Sequence, residues 1–240
     1  EDKSQRFTQK NKENLEAICD LVLEENKRRS DSEKKLYVMY DQMYWHLTYG
    51  KIEHYNPVSL RPAMREYTVF IDAVSKVFAA TGVRVGWSFG PATVISKMKA
   101  ILTHLGAWAP MAEQKATAHF LGNREAIRKY LAHFKTELEE RLHSIYNGFM
   151  QLKKEGLPVD AISPEAAIYL TIKIDLTGKK TAQSEVTAYV LNEAKLAVVP
   201  FYAFGASRSS AWYRLSVGTC KKEEIDEMIG KLREALKKLS

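Results

Sequence analysis

No apolar run in these 240 residues approaches the roughly 18 that a membrane-spanning helix needs. Cysteine is nearly absent as well. Cys19 and Cys220 lie far apart and match neither a metal site nor a disulfide framework, which points to a reduced, cytoplasmic protein. The histidines show no metal-ligand spacing, so no metal is expected. The opening stretch, EDKSQRFTQKNKEN, is polar and charged and lacks the apolar core of a secretory signal. Internal repeats and low-complexity segments are missing too.

Charge is in surplus but not concentrated. Lysine and arginine outnumber aspartate and glutamate by 36 to 29, a net charge of +7. These bases are scattered among glutamates, as in KKEEIDEMIGKLREALKKL, and do not form a nucleic-acid footprint. An anionic small ligand suits the same surplus, and neither a nucleic-acid nor a membrane partner is expected.

What is present is an apolar fraction of 45%, enough for one large domain or two small ones with cores of their own. NKENLEAICDLVLEENKRR places Leu15, Ile18, Val22 and the pair Glu25-Asn26 at helical spacing. LYVMYD, TVFIDAV and RVGWSFGP read as short buried strands, separated by a proline-containing, loop-like segment and a small-residue turn. ATVISKMKAILTHLG reads as a helix, and the stretch from about Glu113 to Glu155 as two helices or one kinked one. Beyond Pro164, EAAIYLTIKIDL, AKLAVVPFY and WYRLSVGT read as strands before a closing amphipathic helix. The expected fold is α/β: an incomplete open sheet with flanking helices over residues 1–115, connecting helices over 116–160, and a small α+β domain over 161–240.

In open α/β sheets ligands bind beyond the carboxyl ends of the strands, and Asp41, Tyr44 and Lys76 fall there. Each has an ordinary structural use. Asp41 could cap a helix, Tyr44 could be a half-buried aromatic, and most lysines after strands are simply solvated. Their order is the sharper signal. Ser75, Lys76, Thr81, Gly82, Arg84 and Gly86 stand in one stretch, Asp41 and Tyr44 three residues apart before it, and Arg214 in a late strand-like run.

This pattern resembles the Schiff-base segment and its companions in the fold-type-I pyridoxal-phosphate enzymes, the aspartate aminotransferase class I and II family. The resemblance extends through THLGAWAPMAEQKA, PEAAIYL and VVPFYAFG and covers nearly everything from about Leu15 onward. It implies transamination of an amino acid, acidic or aromatic, with a 2-oxo acid. Lys76 would carry pyridoxal 5′-phosphate as an aldimine and move the substrate proton, since that chemistry needs a side-chain amine. Asp41 would pair with the pyridine nitrogen, Tyr44 with the phenolic oxygen, and Arg84 and Ser75 with the phosphate. Arg214 would hold the substrate carboxylate, and Trp108 matches a loop at the subunit interface of a homodimer.

The family pattern also starts earlier than residue 1 of this chain. Its glycine-rich phosphate loop, its ring-stacking aromatic and its Asn-Pro-x-Gly segment have no counterpart before Leu15. The resemblance is therefore to the C-terminal portion, the sheet should show open edges, and this chain alone should be weakly active or inactive. The rival expectation is a truncated or split fragment that serves as a non-catalytic binding or interaction module.

Overall fold

The computed structural model describes residues 3–176 and 183–239, with side chains from residue 11 onward except that of Gln183. Two compact units divide between Leu131 and Ala132. The division falls inside the long helix α6 (Arg124–Lys154), 31 residues without a break.

The first unit opens with α1 (Lys3–Arg28). Its inner face carries Cys19, Val22 and Asn26, one helical stripe. Cys19 and Val22 pack with Met64, and Leu15, Leu23, Leu36, Val38, Val58 and Tyr67 close around them. Ile18, expected on that face, is exposed, because the stripe is phased on Cys19 instead. Asn26 fixes the exit from the helix. Its amide donates to the Leu36 carbonyl at 2.8 Å and accepts the Leu36 N–H at 2.7 Å, delivering the chain into β1 (Val38–Asp41).

A short helix α2 (Pro57–Leu60), capped by Asn56, and a 3₁₀ turn (Pro62–Glu66) occupy the segment that reads as loop. Beside them Arg61 forks onto Asp20 at 2.7 and 2.9 Å and reaches Glu16 at 3.1 Å. The chain then enters β2 (Thr68–Ala73), turns through α3 (Val74–Val77), and returns in β3 (Gly86–Phe89). The sheet order is β1-β2-β3. β1 runs parallel to β2, and β3 antiparallel to it. The central strand is buried on both faces, which explains its unbroken apolar run. Gly90 closes β3, where an added Cβ would sit 2.6 Å from the Thr68 carbonyl oxygen. Two helices follow, α4 (Ala92–Leu105) and α5 (Met111–Gly122), before α6 begins.

The second unit holds an antiparallel sheet of order β4-β5-β7-β6. Its strands are β4 (Val159–Ala161), β5 (Tyr169–Ile174), β6 (Val199–Pro200) and β7 (Trp212–Ser216). Leu170, Ile172 and Ile174 of β5 alternate inward and are fully buried. Leu138, Leu142, Ile145, Phe149 and Leu152 form the buried stripe of α6 in this unit. Helices α7 (Gln183–Ala194) and α8 (Ile225–Lys237) complete it, α8 burying Ile225, Ile229, Leu232, Ala235 and Leu236. Neither β4 nor α7 is marked by the sequence pattern. The expected strand AKLAVVPFY is only two residues long, since Pro200 cannot donate to a ladder and Phe201–Phe204 winds into a 3₁₀ turn.

Candidate functional site

The carboxyl ends of two parallel strands and the turns that follow them make the site in the first unit. Register pairs Asp41, the last residue of β1, with Ile71 of β2. The ladder runs one bond further, Gln42 N–H donating to the Ile71 carbonyl at 3.0 Å. Asp41 is exposed and one carboxylate oxygen accepts the Met43 N–H at 3.1 Å, which tightens the turn beyond the strand. Tyr44 lies half-buried in that turn, its carbonyl accepting the Leu47 N–H.

β2 ends at Ala73 and the chain coils at once into α3, which carries Ser75 and Lys76, both half-buried. Val74 N–H donates to the Val85 carbonyl at 3.3 Å, so the two ends of the turn are drawn together. Phe78 anchors it from below, its ring 5.2 Å edge-on from Phe120 and 5.8 Å from Tyr130. The register thus sets Asp41 five residues short of Lys76 along the neighbouring strand, rather than level with it. The Lys76 amine makes no hydrogen bond or ion pair among the described residues.

Arg84 is tied to this turn through Thr81. The Thr81 hydroxyl donates to the Ser75 carbonyl at 3.2 Å, and the Arg84 guanidinium donates to the Thr81 carbonyl at 2.8 Å. Arg84 itself sits in the left-handed region, φ 57° and ψ 36°, where a residue with a Cβ is strained. It is exposed and has no carboxylate partner among the described residues. Beside it opens a depression of about 600 Å³, lined by Asp72, Arg84, Trp87, Lys99, Trp108 and neighbouring apolar side chains. Arg84 and Lys99 bring positive charge to its wall.

Asp72 escapes the motif reading. It is the buried acid of the unit, 6% exposed, and accepts Gln42 Nε2 at 3.2 Å, Trp45 Nε1 at 3.0 Å and Ala73 N–H at 2.8 Å. The one available signal was a charged residue inside an otherwise apolar strand. No group of three or more acidic, histidine or cysteine side chains able to hold a metal occurs among the described residues.

In the second unit Arg214 lies mid-strand in β7, opposite Thr171 of β5 and Val199 of β6. Its guanidinium carbon is 4.3 Å from the centre of the Tyr169 ring and 4.4 Å from that of Phe204. The two aromatic faces order the head group with no carboxylate bound to it among the described residues.

These residues can be set beside known proteins. A sequence model described as aminotransferase class I and II matches residues 28–232. An aspartate aminotransferase of Pyrococcus abyssi is 30% identical over 226 residues, 94% of this chain and 53% of its own length. Another from Rhizobium meliloti is 28% identical and covers 85% of this chain and 49% of its own. The chain thus spans about half the length of the curated relatives it matches. Among solved structures, the aromatic aminotransferase of Pyrococcus horikoshii superposes with a TM-score of 0.79 at 29% identity, over 94% of this chain and 56% of that one. A double mutant of Thermus thermophilus aspartate aminotransferase gives 0.78 at 27% identity, over 94% and 52%. With its family pattern matched from Arg28 to Leu232, the chain belongs to the class I and II aminotransferases.

Proposed function

We propose that this chain is the C-terminal part of a pyridoxal-phosphate-dependent aminotransferase acting on an acidic or aromatic amino acid and a 2-oxo acid. The observation that carries this reading is the state of three side chains at one end of the first sheet. Lys76 has an uncommitted amine, Arg84 a guanidinium without an acid, and Asp41 a carboxylate with one oxygen unbonded, all among the described residues. Asp41 and Arg84 are exposed and Lys76 half-buried, so all three can be reached from solvent. Here they are left for a ligand that offers an electrophilic carbon, an anionic group and a basic nitrogen, and pyridoxal phosphate has all three.

When bound, pyridoxal phosphate supplies an electron-withdrawing ring that makes the substrate Cα proton acidic. Lys76 would hold the cofactor through its amine and, once the substrate amine has displaced it, would be free to take the proton from Cα and return it on the other side of the transfer. Asp41 accepts the hydrogen of the pyridine nitrogen and keeps it protonated. Tyr44 donates to the phenolic oxygen. Arg84 grips the phosphate with a fork that suits a dianion, and Ser75 adds a hydroxyl. Arg214, ordered by two rings, binds the substrate α-carboxylate. The reading extends to a homodimer, supported by the exposed Leu105, Trp108 and Met111 between α4 and α5, and to the cytoplasm, which suits two free thiols.

The test is covalent capture. Borohydride treatment in the presence of pyridoxal phosphate should fix the cofactor on the peptide that contains Lys76, and Lys76→Ala should abolish both capture and transamination. A chain that never captures the cofactor, with or without the remainder of the protein, would instead favour a non-catalytic binding module.

A further inference from the structure

Burying a carboxylate at the end of a strand is unfavourable unless donors are supplied, and Asp72 makes no ion pair among the described residues. Its donors come from two sources. One oxygen takes the Ala73 N–H at the point where β2 becomes α3. The other takes Gln42 Nε2 and Trp45 Nε1, the residues that bracket Met43 and Tyr44 in the turn after β1. One carboxylate therefore ties the turn that follows Asp41 and carries Tyr44 to the end of β2, four positions before Lys76 in α3. On the backbone, the bond from Gln42 N–H to the Ile71 carbonyl joins that turn to β2. Asp72 adds a second tie one residue further along, and two ties resist the hinging that one would allow.

We propose that Asp72 is a positioning residue for the reaction, fixing Asp41 and Tyr44 against the Lys76 turn through Gln42 and Trp45. This rests on the function proposed above. Two variants read it on the full-length protein. Asp72→Asn keeps the shape but turns an amide N–H₂ toward the indole and the Gln42 amide. Trp45→Phe keeps the ring and removes the indole donor from the opposite side. Each should lower the transamination rate about tenfold, the scale of one lost hydrogen bond to a charged group. The double variant should fall no further than about tenfold, since both act through the same contact. Both single variants should also alter the visible absorbance spectrum of bound pyridoxal phosphate relative to the parent, a signature that general loosening of the fold would not produce at an unchanged thermal midpoint.

Parent-like spectra and rates in both variants, or losses that multiply in the double variant, overturn the proposal. If Asp72→Asn does not fold, Trp45→Phe decides alone by the same criteria. Lys76→Ala distinguishes the two possible failures. Should it retain the parent's cofactor spectrum, the function proposed above fails; should it lose the spectrum while Trp45→Phe stays parent-like, only the role of Asp72 falls.

Discussion

Replacing Arg84 by glycine should separate folding from cofactor binding. At φ 57° a Cβ costs about 1–2 kcal/mol, which glycine removes. Glycine in turn gives the unfolded chain more freedom, worth about 0.4–1 kcal/mol. Loss of the 2.8 Å bond from the guanidinium to the Thr81 carbonyl subtracts roughly another 0.5 kcal/mol. These contributions nearly cancel, so the thermal midpoint of Arg84→Gly should stay within about 4 °C of the parent. Phosphate binding should behave otherwise. Two charge-assisted hydrogen bonds at about 1.5 kcal/mol each correspond to roughly 100-fold in affinity. Absorbance titration should therefore show pyridoxal phosphate binding about 100-fold more weakly to Arg84→Gly, while pyridoxal without its phosphate binds both proteins alike. Arg84→Ala should weaken phosphate binding equally but melt lower than Arg84→Gly, because it keeps the strain. Undiminished affinity for pyridoxal phosphate in Arg84→Gly, or an equal loss for both ligands, would refute the assignment of Arg84.

Gly90→Ala should cost about 1–3 kcal/mol in urea unfolding, since its Cβ would lie 2.6 Å from the Thr68 carbonyl and 3.2 Å from Val69 Cα, backbone atoms that cannot step aside. Gly82→Ala, with nothing within 4 Å of its Cβ, should leave the urea midpoint nearly unchanged. Tyr213 is fully buried, its hydroxyl has no hydrogen-bond partner among the described residues, and burial pushes its pKa up to about 12. Tyr213→Phe removes that orphan and should raise the thermal midpoint slightly, whereas a drop of several degrees would reveal a bonded hydroxyl. The Arg61 hydrogen bonds hold the Asp20 carboxyl below its ordinary value. A depressed folded pKa means stability that is present above the unfolded value of about 3.9 and is lost as pH falls through the folded one. Asp20→Asn should therefore melt below the parent at neutral pH and converge with it in strong acid; a gap that persists at low pH would show that the ion pair is not its cause.

Legibility in the sequence followed burial. TVFIDAV announced itself because β2 is covered on both faces and needs no alternation. The closing helix did so because Ile225, Ile229, Leu232 and Leu236 keep strict helical spacing. α7 passed unseen, its apolar residues Val186 and Val190 being diluted by Ser184, Glu185 and Thr187. β4, three residues long, is too short to show a period. Residue types and order single out Lys76, Asp41, Tyr44, Ser75 and Arg84 in the first unit and Arg214 in the second as candidates. What they touch was not. The register that offsets Asp41 from Lys76 depends on where two strands dock, and the role of Asp72 depends on donors some thirty residues away in the chain. Neither leaves a local mark.

The rings beside Arg214 have a consequence for discrimination. A guanidinium whose faces rest on Tyr169 and Phe204 meets a ligand chiefly through its rim of N–H groups. Such a rim rewards two oxygens at the spacing of its fork and gives little to a lone chloride, so with Arg214 in the proposed role chloride should compete weakly with flat carboxylates. The same stacking removes much of the head group's rotational freedom before any ligand arrives, so little remains to be lost on binding. Lysine at this position would keep the charge, yet it would discard the planar rim and stay free to swing, and so would select less sharply among anions.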